Sequence, residues 1–590
     1  MADSNMATKG GGFLIANVEP SQIFTPETFT EEQVMIGRTA RDFVDNEVRP
    51  RLKQMEAREH KVTVELLRKA GGLGLLGIDV PEAYGGADLD KATSTYVTEI
   101  MSRGASFAIS FGAHTGIGTL PIVFFGNEEQ KKRYLPSLAS GEKLAAYALT
   151  EPDAGSDAQG IKTTAHLSKD GRHYLLKGEK QWITNSGFAD IFVVYAKVDG
   201  DKMTAFIVER NTPGLSVGPE FDKMGLHASS TCSVHFSDSP VPKENVLGEI
   251  GRGHIIAFNI LNIGRWKLAA GCLGSCKAIL EVSAKYAKER RQFGKAIAQF
   301  PAIQQKLAQM SARTFALESV AYRTAGLFDK ALATMKDGDA AKAIGEYAVE
   351  ASVNKVFGSE ALDFVVDEGV QIHGGYGYMR EFEVERAYRD ARINRIFEGT
   401  NEVNRLLIPA TLMRRALKGD LPLLQAVQQA QAEATSGKLD APPSAVGGQL
   451  EAESALLANA KRAALLIAGL GVQKYMTQLE QEQELLLAVA DLVIDAYALE
   501  SALLRAGRMA TQLGQEKAAG ALDMARLFAE EVADQSEQTA RRALAGISEG
   551  DELQMHISLL RRLFRRTPAN RVTLGRRIAQ RVLEVGGYTV

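Results

Sequence analysis

The chain has few cysteines, no excess of either charge and no nucleic-acid signature. Its 590 residues include three cysteines, Cys232, Cys272 and Cys276, too few and too poorly spaced for a disulfide framework or a zinc site. Lysine and arginine number 69 against 72 acidic residues, whereas proteins that bind duplexes carry a basic excess or stripe. The sequence therefore predicts no metal site, no nucleic-acid partner and a reducing compartment.

The chain also lacks a long apolar run. The longest markedly apolar stretch, residues 463–472, is about half of what a membrane-spanning helix needs. Residues 1–17 do not have the layout of a signal peptide, and Asp3 and Glu19 argue against an arginine-rich transit peptide. We expect a cytoplasmic bacterial protein, or a mitochondrial matrix protein if the chain is a processed eukaryotic one, either soluble or lying on a membrane surface.

Helical and strand patterns follow one another in blocks. Val34, Ile36 and Ala40 follow a capping box at Thr30 with helical spacing, and β-prone runs between turn residues fill the second block. Because strands do not alternate with helices, a doubly wound parallel sheet is not expected. The predicted units are an irregular leader (1–30), an N-terminal helical domain (31–145), a middle β domain (146–255), a helical bundle domain (256–415), a linker (416–449) with a proline- and glycine-rich stretch at 437–448, and an additional C-terminal helical domain (450–590).

Four dense islands of glycine, aromatic and small polar residues interrupt these patterns, at residues 147–157, 181–185, 371–378 and 395–402. Glycine and serine let main-chain amides approach a phosphate or an acyl oxygen closely. A tryptophan with a threonine two residues on can stack on a flat heterocycle and hydrogen-bond it. Taken singly, each island is equally well read as a turn or a helix cap.

In this order and spacing the islands resemble the acyl-CoA dehydrogenase family over roughly residues 35–415. Matching segments include Lys223-Met-Gly, Leu261-Asn-Ile-Gly-Arg, Arg290-Arg-Gln-Phe-Gly and Arg389-Asp-Ala-Arg. The match is best with the very-long-chain subfamily, whose members carry an additional C-terminal helical domain. The resemblance implies a mainly α fold with an inserted β domain: an N-terminal helical domain, a middle β-barrel-like domain and a C-terminal four-helix bundle, plus the added helical domain.

The resemblance implies FAD-dependent α,β-dehydrogenation of long-chain acyl-CoA to trans-2-enoyl-CoA, as in fatty acid β-oxidation. Glu398 then removes the α-proton while the β-hydrogen leaves as hydride to flavin N5. Some relatives carry the base at the position of Gly264 instead, where this chain has no side chain. Arg265 is expected to orient Glu398, and the neighbouring Phe397 to help raise its pKa. In isolation, Glu398 reads as an exposed carboxylate before a helix, and Arg265 as a surface arginine.

The same match assigns the ligand-binding positions. The FAD residues are Tyr147, Leu149, Thr150, Gly155, Ser156, Trp182, Thr184, Arg290, Phe293, Gln371, Gly375, Thr400 and Glu402. The substrate-binding residues are Ser156, Asn262, Arg265, Phe397 and Gly399. Alternatives stay open: Thr150 and Ser156 as turn residues, Ser156 on the CoA side, and Arg290 at a helix C-terminus. Pro301 stands near a glutamine of many short- and medium-chain relatives, which puts that FAD contact in doubt.

The implied partners are acyl-CoA, an electron-transfer flavoprotein as electron acceptor, and a second copy of the chain, since Arg290 and Phe293 match positions that reach FAD across a subunit interface. A homodimer is predicted, with a tetramer as the alternative.

The small residues at 112–118 indicate a deep acyl tunnel or close helix packing. Residues 461–474, basic at both ends, indicate contact with a membrane surface or a buried helix. The rival functions are an acyl-CoA oxidase and an assembly factor on the same fold.

Overall fold

The computed structural model describes residues 6–335, 339–436 and 449–590. Helices, strands, helices and a further helical block follow one another along the chain, so the predicted fold class is confirmed. The proline- and glycine-rich stretch predicted within the linker, residues 437–448, lies outside the described residues.

The N-terminal domain opens with the predicted capping box. In helix α1 (Glu31–Phe43), the Thr30 hydroxyl accepts from the Gln33 N–H at 3.2 Å, and the Gln33 side chain accepts from the Thr30 N–H at 2.9 Å. A π-helical segment, Ala113–Gly118, joins α5 to α6. The other helices of this part are α2 (Leu52–Glu56), α3 (His60–Gly72), α4 (Lys91–Met101), α5 (Phe107–Gly112), α6 (Leu120–Phe125) and α7 (Glu128–Ala139).

The middle domain is a largely antiparallel sheet with the strand order β6-β7-β3-β2-β4-β5-β8, in which β1 also pairs with β4. Strand β4 is buried on both faces: Tyr195 faces the core shared with the helices, and Phe192 faces the core of the sheet itself. This explains its unbroken apolar sequence. The strands are β1 (Ala145–Ala148), β2 (Thr164–Leu167), β3 (His173–Thr184), β4 (Ile191–Val198), β5 (Lys202–Glu209), β6 (Leu215–Val217), β7 (Thr231–Pro242) and β8 (Val246–Leu247).

Long helices then form a bundle. The buried apolar residues of the bundle belong to the same core as those of the added domain. Helices α8 (Gly253–Glu289), α9 (Pro301–Ala333) and α11 (Ala348–His373) pack against one another, and α13 (Asn401–Leu417) packs on α11. Two shorter helices, α10 (Ala340–Glu346) and α12 (Glu383–Ala391), complete this part.

Two local features differ from the sequence prediction. Inside the segment predicted as helical, β9 (Arg291–Gln292) and β10 (Lys295–Ala296) form a short antiparallel hairpin. Inside the segment predicted as linker, residues Leu423–Ser436 form helix α14. The hairpin turns at Phe293 and Gly294, both with positive φ, and helical periodicity does not register a two-residue turn of this kind.

The added domain consists of helices that follow one another along the chain, and it packs on the bundle. Its helices are α15 (Glu451–Tyr475), α16 (Gln483–Leu513), α17 (Ala519–Ile547), α18 (Gly550–Leu563) and α19 (Arg571–Val585). The leader also packs here: the ring of Phe13 lies 4.7 Å from that of Tyr497, and Glu27 accepts a hydrogen bond from Arg505 at 2.6 Å. Arg505 is buried and also donates to Glu318 of α9, so a charge cluster joins leader, bundle and added domain.

Two segments of the described chain are long and apolar enough to cross a membrane when judged by length and composition alone: Phe107–Phe125 and Glu451–Gln481. In the most apolar window of each, 72% and 44% of the residues are buried inside the protein. Core helices of soluble proteins give the same signal, so these segments are weak evidence for membrane insertion.

Candidate active site

A β-bulge exposes the tryptophan of the second island. Lys180 pairs with Val234 and Ile183 with Cys232, so Gln181 and Trp182 stand opposite one residue of β7. Trp182 adopts φ 56°, and its side chain is 56% exposed, an unusual state for so large an apolar group. Bulges re-aim side chains in this way, and here the flat indole is presented outside the sheet.

The first island is tied to the same bulge by a buried ion pair. Lys180 is fully buried, and its Nζ donates to Glu151 Oε1 at 2.6 Å and to the Leu149 carbonyl at 3.1 Å. The Gln181 N–H donates to the Thr150 carbonyl at 2.9 Å. The two islands predicted to bind a cofactor therefore form one unit, and Lys180 and Glu151 hold it together although neither was predicted from the sequence.

The fourth island ends in a tight loop that carries Glu398. Glu398 has φ 58° and Gly399 has φ 78°, so two consecutive residues are left-handed just before α13. For a residue with a Cβ this costs roughly 1–2 kcal/mol, and such strain persists where surrounding contacts fix the conformation. Thr400 then caps α13, its hydroxyl accepting from the Val403 N–H at 3.2 Å.

Two side chains hold the loop through its main chain. The Arg265 Nε donates to the Glu398 carbonyl at 3.2 Å, and Asn404 Nδ2 donates to the Gly399 carbonyl at 2.9 Å. Arg265 is itself 6% exposed and donates to Asn262 Oδ1 at 2.9 Å. Arg265 thus contacts the main chain of Glu398, which leaves the carboxylate free of a strong ion pair.

The Glu398 carboxylate is partly shielded from solvent. Its Oε2 is buried and accepts no hydrogen bond within the described part of the chain. Burial raises the pKa of this carboxyl to about 7, although the positive charges of Arg265 and Lys355 act in the opposite direction. A carboxyl with a pKa near neutrality is suited to proton transfer at physiological pH.

Gly264 provides the space that this carboxylate occupies. A Cβ placed on Gly264 would lie 2.7 Å from Glu398 Oε2, closer than real Cβ contacts allow. The carboxylate therefore faces the α8 backbone directly. A side chain at residue 264 would displace this carboxylate.

The carboxylate opens on a cavity whose walls are mostly apolar or small. Thr184, Phe397 and Glu398 share this cavity with Gly264. The π-helical segment contributes its small residues, and a Cβ on the preceding Gly112 would meet no atom within 4 Å. π-Helical turns are frequent at functional sites, and this one lines the cavity with small residues.

The remaining predicted cofactor residues lie elsewhere. Arg290 precedes the hairpin, and its guanidinium lies 5.3 Å from the centre of the Tyr376 ring in the third island. Phe293 at the hairpin tip is 92% exposed. Gln371 lies near the end of α11 and Gly375 in the turn that follows it. These residues, unlike Thr184, are not among the described residues that line the Glu398 cavity.

Four family models match the chain in order. The N-terminal domain of acyl-CoA dehydrogenases matches residues 30–142 and the middle domain residues 146–239. Two C-terminal domains of acyl-CoA dehydrogenases match residues 251–413 and 459–562. The second of these covers most of the added helical domain.

A curated Bacillus subtilis protein described as "Probable acyl-CoA dehydrogenase" is 55% identical over 99% of this chain and 98% of its own length. The chain belongs to the acyl-CoA dehydrogenase family. The mitochondrial very long-chain specific acyl-CoA dehydrogenase of Bos taurus is 38% identical over 82% of this chain and 77% of that protein. A crystal structure of a Bacillus anthracis acyl-CoA dehydrogenase complexed with FAD is 54% identical, with a TM-score of 0.96 over 99% of this chain and 100% of the other.

These similarities confirm the predicted family, and with it an FAD-dependent oxidoreductase. The geometry of this acyl-CoA dehydrogenase fits such a cofactor. Trp182 and Phe293 are exposed aromatic rings, and a Cβ on Gly155 or Gly375 would meet nothing within 4 Å. Flat faces for a ring system and open glycine backbone for phosphates are what a dinucleotide needs.

Sequence reasoning missed two residues that surround Glu398. Asn404 holds the carbonyls of the Glu398 loop, and Lys355 is a fully buried lysine whose charge acts on Glu398. Asn404 follows the capping Thr400 by one helical turn, a spacing that hints at its role. Lys355 sits in an ordinary helical pattern and gives no signal.

Proposed function

We propose that the chain oxidises long-chain acyl-CoA thioesters to trans-2-enoyl-CoA, with Glu398 as the base that removes the α-proton. The observation that carries the proposal is the Glu398 carboxylate itself, which lines a largely apolar cavity, has one oxygen shielded from solvent and has its pKa raised to about 7. An α-C–H beside a thioester is a weak acid, so the base must be desolvated and well placed.

The chain's own residues account for the proton-transfer half of the reaction. Among the described residues none donates a hydrogen bond to Glu398 Oε2, which leaves the carboxylate able to take the α-proton. The Glu398 main-chain N–H donates to no acceptor within the described chain, so it is available to the thioester oxygen as charge develops there. Arg265 keeps both groups in place by holding the Glu398 carbonyl. Bound FAD supplies the acceptor for the β-hydride.

The first and second islands, joined by Lys180, and the exposed Trp182 indole are proposed to bind the flavin of the same chain. The β9–β10 hairpin is proposed to contact the FAD of a second copy of the chain. The 92% exposed Phe293 lies outside the Glu398 cavity, as expected if it completes a partner's cofactor site in a homodimer. Thr400 and Glu402 stay proposed FAD contacts, beside the helix-capping role that Thr400 shows. Pro301 occupies the first turn of α9, where its missing N–H is tolerated.

The long-chain preference rests on the similarity to very-long-chain relatives and on the glycines of the cavity wall. The open space around Gly112 leaves room for an extended acyl chain.

Reduced enzyme is proposed to pass electrons to an electron-transfer flavoprotein. A peripheral membrane contact through residues 461–474 and a cytoplasmic location are further parts of the proposal. Part of this segment packs inside the protein: Lys461 pairs with the buried Glu500, and Ala463 and Ile467 are buried.

Anaerobic titration with acyl-CoAs of graded chain length, followed by flavin bleaching, tests the function. We expect bleaching that is fastest with long chains, and little peroxide when the reduced enzyme meets oxygen. Bleaching by short chains alone would refute the long-chain assignment. Rapid peroxide release on aerobic turnover would select an oxidase, and a colourless protein would select an assembly factor.

The pH dependence of flavin reduction should report the base. Because the ionised carboxylate takes the proton and its pKa is about 7, we expect kcat/KM to rise with pH and level off above about 7. A carboxylate of ordinary pKa would level off near 4.5 instead. The measurement is anaerobic stopped-flow reduction between pH 5.5 and 8.5 at constant ionic strength. A flat profile over this range would contradict the assignment.

Replacing Gly112 with leucine should shorten the cavity. A Cβ there meets no neighbouring atom within 4 Å, and Gly112 lines the cavity, so folding should tolerate a side chain that extends into it. We expect kcat/KM for a sixteen-carbon substrate to fall at least about tenfold, while that for a four-carbon substrate changes little. The control is Gly546→Leu, which also has open space but lies in α17. Equal losses for both chain lengths would place Gly112 outside the acyl path.

A further inference from the structure

Arg405 joins three helices at a point close to the base loop. Its Nη1 and Nη2 donate to the two oxygens of Glu360 in α11 at 2.7 and 2.9 Å. Its Nε donates to Asp491 Oδ1 of α16 at 2.7 Å. The Arg405 side chain is 16% exposed and those of Glu360 and Asp491 are 36% and 33% exposed, so these charge-assisted bonds are partly shielded from solvent. Asp491 belongs to the added domain, and Glu360 to the bundle.

The same Glu360 carboxylate also fixes the start of α13. Asn401, which is 1% exposed, donates through Nδ2 to Glu360 Oε1 at 3.0 Å and to Ser359 Oγ at 3.1 Å. Its Oδ1 accepts from the buried Lys355 Nζ at 2.6 Å. Both ends of the Asn401 amide are therefore occupied, and the amide cannot rotate without breaking a buried hydrogen bond.

Asn401 is three residues beyond Glu398, at the end of the left-handed turn. On one side the loop is held by Arg265 and Asn404 through its carbonyls. On the other side it is held by Asn401, whose partners lead through Glu360 and Arg405 to Asp491. A strained turn keeps its conformation when it is fixed at both ends.

We propose that Asp491 of the added domain is a positioning residue for the catalytic base, acting through Arg405, Glu360 and Asn401. The added domain then contributes to the chemistry as well as to packing. The inference rests on the proposed function, because it takes Glu398 as the base. Asp491 touches neither substrate nor cofactor in this scheme; it keeps the loop in the geometry that proton transfer requires.

The charged groups that surround both ends of this path are few. Asp491 is faced by Arg405 and Glu360, by Asp495 one turn along α16 and, from α17, by Arg542. At the other end, Glu398 is faced by Arg265 of α8 and Lys355 of α11, and Tyr147 of β1 lies near it. Loss of Asp491 leaves the charges around Glu398 unchanged. An effect on Glu398 must then come through the position of the loop.

A second ion pair between bundle and added domain serves as a matched control. Arg313 of α9 and Glu531 of α17 approach to 3.3 Å, and among the described residues neither contacts the base loop. Truncating Glu531 removes a partly buried charge pair at the same domain interface. A purely structural role of such pairs predicts the same result for Asp491→Ala and Glu531→Ala.

The experiment is anaerobic single-turnover flavin reduction by a saturating long-chain acyl-CoA, in full-length holoenzyme, for wild type, Asp491→Ala and Glu531→Ala. We expect the reduction rate constant to fall about tenfold in Asp491→Ala, with substrate affinity little changed and the control within twofold of wild type. We also expect the pH midpoint of the rate to move down, because a loosened loop admits water to Glu398. Asp491→Asn keeps an acceptor oxygen and should recover most of the rate.

Equal rates and pH profiles for Asp491→Ala and Glu531→Ala would overturn the inference, provided Glu398→Gln is inactive in the same assay. Full activity of Glu398→Gln would instead overturn the proposed function, so the two failures are distinguishable. If Asp491→Ala does not fold with flavin, Asp491→Leu replaces it. Leucine shares the branching at Cγ and favours helix but accepts no hydrogen bond, and a wild-type rate in that variant would equally reject the inference.

Discussion

Replacing Glu398 with glutamine should abolish flavin reduction by acyl-CoA while leaving the flavin bound. Glutamine has nearly the same shape, but its amide cannot take up the α-proton. We expect the rate constant of anaerobic bleaching to fall by about 10⁴-fold, the upper end of what a positioned base contributes. The buried Oε2 makes no hydrogen bond within the described chain, so the substitution removes no native contact of that atom.

The control for this variant is Glu129→Gln on the exposed surface of α7. It makes the same chemical change far from the cavity and should reduce its flavin at the wild-type rate. Flavin absorbance and thermal unfolding establish that both variants are folded holoenzymes. Bleaching of Glu398→Gln at more than a tenth of the wild-type rate would show that another group removes the proton.

Replacing Gly264 with alanine should have the second largest effect, although it adds one methyl group. The new Cβ would lie 2.7 Å from Glu398 Oε2, so the carboxylate must move. Displacement of a catalytic group by about 1 Å typically costs on the order of 10²-fold in rate, and we expect a loss of that size. The measurement is the same single-turnover reduction, with the pH profile as a second readout.

Gly546→Ala is the matched control, because a Cβ at that helical glycine meets nothing within 4 Å. It should leave the rate unchanged and, since alanine favours helix, stabilise the protein slightly. If Gly264→Ala reduced flavin as fast as Gly546→Ala, the carboxylate would have to act from a different rotamer than the one seen here.

The fold could be predicted from the sequence where local pattern and tertiary structure agree. The capping box at Thr30 and the apolar run of β4 both form as expected. The hairpin at Arg291–Ala296 could not be predicted, because its short strands carry no alternating pattern. The sequence predicts a linker where helix α14 forms, because the neighbouring prolines and glycines obscure the weaker helical periodicity of this segment.

For the site, the sequence located the islands but not the forces that place them. Trp182 is exposed because of a bulge, and a bulge depends on the pairing of two distant strands. Lys180 and Lys355 are buried lysines, which no local pattern distinguishes from surface ones. The sequence predicts that Arg265 orients Glu398 but not that it does so through the main chain, which depends on the left-handed turn at Glu398.

The contacts between the leader and α16 bear on how the protein is made. Glu27 and Arg505 are 478 residues apart in sequence, and Phe13 and Tyr497 are similarly distant. At ribosomal rates of about 5–20 residues per second, the leader waits roughly 25 to 100 s for its partner helix to be synthesised. During that interval Phe13 is without the Tyr497 ring, although Phe24 can already pack on Tyr322 of α9. Chaperone dependence of this enzyme should therefore concentrate in its first thirty residues.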